Sequence, residues 1–275
     1  MFNKLGMIAG SGELPKRVVE HCQKNGIELF AISIKGFGDK SLYESNNIKF
    51  IELSFGQVGK AIKFFKTNNI SKIVFAGAVK KPSFYKIRID FKGLFLLKNI
   101  LKNKFLGDNS VLETVIIFFE KRNIEILEID KVIDNIKFEK GFNSNSTTEL
   151  NNDFLDNVNL GKGVLEKLSN LDIGQSIAIQ QKNVIGIECV EGTKELINRC
   201  GIIKYKNGDR PILIKMKKID QTRKADLPAV GPDTIEQLHE AGFSGIVVDY
   251  KNCLAVSLEK TIDLSNKYNI FIYGI

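Results

Sequence analysis

Residues 5–34 read LGMIAGSGELPKRVVEHCQKNGIELFAISI. An apolar run, Leu5–Ala9, leads into Gly10-Ser11-Gly12 and then Glu13-Leu14-Pro15. The run suits a strand and the glycines a turn. Proline suits the first helical turn, where its missing N–H would have no partner anyway. The helix is expected to reach about Asn25, with Gly26 ending it and Ile27–Ile34 forming a second strand. This is a βαβ opening with glycines where a ligand could approach backbone N–H groups. It does not complete the dinucleotide fingerprint. The third glycine is missing, and Lys35 stands where an acid would hold a ribose. A nicotinamide cofactor is therefore not expected. A nucleotide or phosphate site at Gly10, Ser11 and Gly12 is one reading of the turn, and a plain tight turn is the other.

The alternation continues along the chain. Gln57–Lys66 places Val58, Ala61, Ile62 and Phe65 on one helical face. Ile73–Ala76 reads as a buried strand ending in Gly77-Ala78-Val79, Asn109–Lys121 as a helix and Ile124–Ile129 as a strand. Strands alternating with helices predict a parallel sheet covered on both faces. Ligands of such sheets sit at the strand carboxyl ends, which puts Gly10–Gly12 and Gly77–Lys81 on one rim. The expected fold class is α/β with two domains. Residues 1–133 form a Rossmann-like parallel sheet, the polar, aperiodic stretch 134–158 a linker, and 159–275 a mixed α/β domain.

The chain has 275 residues and a formal net charge of +8, which favours acidic partners. Cys22, Cys189, Cys200 and Cys253 are scattered, and with only His21 and His239 beside them a zinc site is not expected. No window approaches the roughly 18 apolar residues of a membrane span, and the opening residues lack a signal peptide. A cytoplasmic protein is expected. Lys80 to Lys104 is unusual. It holds Lys80, Lys81, Lys86, Arg88, Lys92, Lys98, Lys102 and Lys104 against one acid, Asp90, with Phe84, Tyr85, Phe91, Phe95, Leu96, Leu97 and Phe105 interleaved. An apolar stripe flanked by lysines suits a membrane surface. It equally suits an amphipathic helix whose leucine face is core. No nucleic-acid-binding motif accompanies the charge, so nucleic acid is not expected as a partner.

In the C-terminal half, Ile177–Ile179 and Val184–Cys189 flank Gln181-Lys182-Asn183 as a hairpin. The second run enters Glu188-Cys189-Val190-Glu191-Gly192-Thr193 and a helix to Cys200. Two acids and a hydroxyl there suit Mg²⁺; helix capping is the other reading for Glu191 and Thr193. After a strand, Ile212–Ile214, comes KMKKIDQTRKADLPAVGP, residues 215–232. Lys215, Lys217, Lys218, Arg223 and Lys224 repel one another, so the folded segment wants an anion nearby. Asp226 stands two residues before Pro228. Two readings remain: a phosphate-gripping loop with a catalytic or metal-binding aspartate, and a solvated basic loop with Asp226 capping a turn. Helices at 234–241 and 257–269 and strands at 245–248 and 270–273 complete a second α/β unit.

Several pieces together resemble one family. They are IAGSGELP at 8–15, GQVGK at 56–60, AGAVKKPS at 76–83, GDNSVLETV at 107–115, LDIGQ at 171–175, ECVEGT at 188–193, and Gln221–Arg223 leading into DLPAVGPDT at 226–234. The resemblance is to the UDP-2,3-diacylglucosamine pyrophosphatases of lipid A synthesis that are unrelated to calcineurin-like phosphoesterases. The chain departs from that pattern at Ser11, at Lys81, and at Lys218-Ile219, where a Lys-Pro pair is usual. The resemblance implies an enzyme that splits the pyrophosphate with Mg²⁺, yielding UMP and 2,3-diacylglucosamine 1-phosphate, works as a homodimer and meets its lipid substrate at the inner face of a membrane. It carries an essential role to Asp226; because a diphosphate needs cations around it, Lys215 and Arg223 are expected as further catalytic residues. Gly10, Ser11, Gly12, Lys80, Asp172, Gln175, Thr193, Lys218 and Lys224 are the expected substrate contacts, and Asp226, Glu188 and Glu191 the expected metal ligands. The alternative is a non-catalytic membrane-surface protein that binds anionic lipid or nucleotide.

Overall fold

The computed structural model describes residues 2–79, 89–102, 108–145 and 150–275. Lys80, Lys81 and much of the basic stripe lie outside them. The chain divides into two compact units. The first holds Met1–Asp134 together with Thr222–Asp226, and the second holds Asn135–Gln221 with Leu227–Ile275.

In the first unit the elements run β1 (Lys4–Ala9), α1 (Glu13–Lys24), β2 (Glu28–Ile34), α2 (Lys40–Ser45), β3 (Lys49–Leu53), α3 (Val58–Thr67), β4 (Lys72–Ala76), α4 (Phe91–Lys102), α5 (Asp108–Glu120) and β5 (Glu125–Leu127). The strands form one parallel sheet in the order β3-β2-β1-β4-β5. The order reverses between β1 and β4, so their carboxyl ends flank the switch point where such sheets bind ligands. The first helix forms as the opening stretch predicts: Pro15, Val18, Val19 and Cys22 recur at helical spacing and are all buried. Phe65 and Ile62 of α3 pack with Phe30, Ile32, Ile73 and Ile126 of the sheet.

The second unit contains β6 (Gly141–Phe142), α6 (Asn152–Ser169), β7 (Ser176–Gln180), β8 (Asn183–Ile187), α7 (Thr193–Ile203), β9 (Ile212–Lys215), β10 (Ala229–Val230), α8 (Pro232–Glu240), β11 (Gly245–Val248), β12 (Leu254–Ala255), α9 (Leu258–Tyr268) and β13 (Phe271–Gly274). Its six-stranded sheet has the order β6-β13-β11-β9-β7-β8. The three middle strands β13, β11 and β9 are parallel, and β6, β7 and β8 pair antiparallel at the two edges. Alternate residues face opposite layers, as strand geometry requires. Leu213, Ile246 and Val248 pack against α7 and α8, while Ile212, Ile214 and Val247 pack against α6. Both faces are covered, which is why these strands read as unbroken apolar runs. The β7–β8 hairpin closes through Gln181 and Lys182, whose φ values of 49° and 59° give the doubly left-handed turn that matches strand twist.

Of the stretch 134–158, expected as a linker, the described residues 135–145 and 150–158 group with the second unit. Ile136, Phe138, Phe154 and Val158 are all less than a tenth exposed. Burying such side chains contributes about 1.5–3 kcal/mol each, which a flexible connection would forgo. Helix α6 starts inside this stretch, capped by the Asn151 side chain accepting from the Phe154 N–H. Its buried Phe154, Val158, Gly161 and Leu165 follow a helical period that the surrounding polar residues obscure.

Candidate active site

At the carboxyl ends of β1 and β4 the backbone does the work. The Gly10 N–H donates to the Ala76 carbonyl at 2.9 Å. Ser11 and Ala78 exchange N–H···O bonds of 2.9 and 2.8 Å, and the Ser11 hydroxyl adds a third to the Ala78 carbonyl. A side chain at position 10 would collide with that carbonyl, so the close approach demands glycine. Gly12, at φ 97°, then opens α1 without a side-chain cap. Gly10, Ser11 and Gly12 therefore stand at the switch-point rim together with Gly77 and Ala78, as the alternation predicts. Lys80, expected beside them, lies outside the described residues.

A second cluster forms within the C-terminal unit, where β7, β8, β9 and the start of α7 meet. Lys215, the last residue of β9, is only 6% exposed. Its Nζ donates to Thr193 Oγ1 at 2.9 Å. Thr193 donates in turn to Glu188 Oε1 at 3.1 Å, and Ser176 Oγ lies 3.4 Å from the same hydroxyl. Glu188 is 7% exposed, and its other carboxylate oxygen is buried without a hydrogen-bond partner among the described residues. An ammonium and a carboxylate thus share one hydroxyl, and each keeps bonding capacity in hand. The loop 171–175 joins them. Gly174 has φ 53°, and any side chain there would strike the Glu188 carbonyl. Lys218 Nζ donates to Asp172 Oδ1 at 2.6 Å, and Gln175 accepts from the Met216 N–H at 2.9 Å. Asp172, Gln175, Glu188, Thr193, Lys215 and Lys218 are thereby brought together.

The five cations of residues 215–224 have different fates. Lys217 Nζ donates to the carbonyls of Lys218, Ile219 and Gln221, holding its own loop in shape. Arg223, counted with the first unit, donates to Glu128 Oε2 at 3.0 Å and to buried Asp130 Oδ2 at 2.6 Å. Lys224 donates to Glu120 Oε1 at 2.6 Å. Ala225 packs on the first unit's core. Burial alone would raise the Glu128 carboxyl, but the hydrogen bonds from Arg223 and Lys131 outweigh it and hold that group below its ordinary value. The anions that this cation density requires come, for Arg223, Lys224 and Lys218, from the protein itself. Among the described residues, Lys215 has no carboxylate at ion-pair distance.

Of the three carboxylates expected to hold a metal, Glu188 and Glu191 belong to the second unit and Asp226 to the first. Glu188 fits a cation, because a buried carboxylate oxygen left unpaired costs about 1–3 kcal/mol. Glu191 pairs with Arg199 at 3.1 Å. Its own backbone N–H, ahead of Arg199, holds its carboxyl below the usual range. Asp226 is half-buried in the first unit. Among the described residues no three of His, Cys, Asp or Glu gather as metal ligands.

Sequence reasoning missed Ser176, which the residue types signal only as a lone hydroxyl opening an apolar strand. It also missed Glu128 and Asp130. They stand directly after a strand, at the carboxyl end of the sheet, where acids were a legible cue.

Comparison with known proteins identifies the family. The LpxI N-terminal domain matches residues 4–136 and the LpxI C-terminal domain residues 143–273. A UDP-2,3-diacylglucosamine pyrophosphatase LpxI from Caulobacter vibrioides is 27% identical over 279 aligned positions, covering 100% of this chain and 98% of that one. A solved NAD⁺ complex of the enzyme WbmH from Bordetella bronchiseptica aligns with TM-score 0.30 and 16% identity over 45% of this chain and 37% of its own, too slight a likeness to bear on the site. With both domains matched in order over nearly the whole length, the chain belongs to the LpxI family.

Proposed function

We propose that this chain hydrolyses the pyrophosphate bond of UDP-2,3-diacylglucosamine in lipid A biosynthesis, with Mg²⁺, to UMP and 2,3-diacylglucosamine 1-phosphate. The observation that carries the reading is the buried pair Lys215 and Glu188 on one Thr193 hydroxyl. Lys215 has donors left for a phosphate oxygen, and Glu188 has an oxygen left for a cation. A pure anion binder would gain nothing from a buried acid beside its cation. A metal-bound diphosphate uses both.

In this reading Lys215 binds a diphosphate oxygen and balances charge as it develops. Lys218, steered by Asp172, supports the same group. Glu188 would hold the ion, and Thr193 fixes the Glu188 carboxylate in place. Bound Mg²⁺ would lend Lewis-acid polarisation of the phosphoryl oxygens. Asp226, carried over from the family motif, is the essential aspartate of the reading, with two roles open to it: binding the metal or orienting the attacking water. Water adds at one phosphorus, the anhydride P–O bond breaks, and the leaving phosphate takes the electron pair. The working form is a homodimer in the cytoplasm, drawing its substrate from the inner membrane face. Among the described residues no helix is long and apolar enough to cross a membrane.

The test is product formation from UDP-2,3-diacylglucosamine with Mg²⁺ and with EDTA. UMP and 2,3-diacylglucosamine 1-phosphate should appear only with metal. A folded protein that gives no cleavage under either condition overturns the reading. Independently of turnover, Mg²⁺ should raise the melting temperature, because a ligand that binds only the folded state stabilises it. Glu188→Gln should abolish that rise.

A further inference from the structure

Helix α4 is apolar on two faces. Leu96 points inward and is 5% exposed, packed in the first unit's core. Phe91, Leu94 and Phe95 point outward and are 89%, 56% and 54% exposed. Their i, i+3, i+4 spacing lines them up on one outward stripe. Single exposed apolar residues are ordinary, but a contiguous aromatic stripe marks a contact surface. The stripe borders an open apolar groove of about 770 Å³.

Among the described residues, the charged side chains that line it are of one sign. Lys92, Lys98 and Arg122 line the same groove. Arg122 lies 3.5 Å from the Phe118 ring and donates to the Phe118 carbonyl. Asp90, the one acid of the 80–104 stretch, is turned away. Its carboxylate accepts from the Gly93 N–H at 2.8 Å and the Lys60 N–H at 3.1 Å. The Asp90 N–H donates to the Gly56 carbonyl, and a side chain at Gly93 would run into that carbonyl. The helix start is therefore clamped on residues 56–60 with its anion spent on backbone amides. The clamp holds the helix start with the stripe outward.

We infer that the outward face of α4 docks on a bilayer surface carrying anionic headgroups, with Phe91, Leu94 and Phe95 entering the interface and Lys92, Lys98 and Arg122 meeting phosphates. An apolar stripe rimmed by cations is what an interfacial helix needs, and the lysines select anionic over neutral lipid. The lipid substrate of the proposed reaction gives such docking its use, and that much rests on the functional reading. The surface argument itself does not.

The test is co-sedimentation of the full chain with phosphatidylglycerol vesicles and, in parallel, with phosphatidylcholine vesicles. The chain should pellet with the anionic vesicles, and less so as salt rises. Phe91→Ser/Phe95→Ser should weaken binding by about tenfold or more. Lys92→Gln and Lys98→Gln should weaken it by about fivefold each. Hydrolysis of detergent-dispersed substrate should be unchanged in all these variants. Equal pelleting with both lipids, or serine variants that bind as wild type, would overturn the proposal. So would a switch from dimer to monomer on light scattering with vesicle binding retained, since the stripe would then be a subunit contact. Should the double serine variant fail to fold, the lysine variants and the salt series decide. Vesicle binding without hydrolysis in any assay would sink the enzyme reading and leave this one standing; hydrolysis without vesicle binding would do the reverse.

Discussion

Residues 215–221 and 222–226 are one continuous basic stretch, yet they meet opposite environments. In the first segment Lys215 is buried against a hydroxyl, and its acid neighbour Glu188 is reached only through Thr193. In the second, Arg223 and Lys224 are taken up by Glu128, Asp130 and Glu120. Within the first segment Lys215 keeps donors in reserve while Lys217 and Lys218 are taken up by loop carbonyls and Asp172, and both cations of the second are spent on the protein. Cation density by itself therefore does not identify a phosphate grip. What identifies it is a buried cation left with donors to spare.

The sharpest test of the contrast is Asp226→Asn, because that residue closes the second segment and yet is assigned to chemistry. Turnover should fall about a hundred- to ten-thousandfold with the melting temperature unchanged. Near-normal turnover would make the whole segment structural. Next is Arg223→Ala, which strips the guanidinium from Glu128 and from buried Asp130. Breaking so enclosed an ion pair, discounted for the partial exposure of Arg223, should cost about 2–4 kcal/mol in urea unfolding. A variant that kept its stability and lost turnover would instead make Arg223 a substrate cation, and the two segments would cease to differ.

A smaller effect is expected from acid. The Glu128 carboxyl is held below its ordinary value of 4.5, so the folded state binds its proton less readily than the unfolded chain does. Its contribution is present above about pH 4.5 and is lost as pH falls through the folded-state value. Glu128→Gln should flatten that acid limb of the stability curve. The smallest effect belongs to the first segment. Lys218→Ala removes a partly exposed pair with Asp172 and should change stability by at most about 1 kcal/mol. Substrate affinity should fall by more than that figure implies if Lys218 serves the diphosphate.

The sequence by itself determined the class of each half. Apolar runs bounded by glycine and proline place the strands, and periods of 3.6 place most helices, because those signals lie within a few residues of one another. The glycine turn at 10–12 and the hairpin at 181–182 were legible for the same reason. Tertiary structure alone decided which cations are spent. Arg223 meets Glu128 across 95 positions of chain and Lys224 meets Glu120 across 104. Lys218 meets Asp172 across 46. No local pattern encodes such distances. It also decided that Arg199 claims Glu191, that Phe138, Phe154 and Val158 join the second unit's core, and that α4 turns Phe91 and Phe95 outward. Charge pairing depends on where folding sets two side chains down, and a count of lysines holds no record of that.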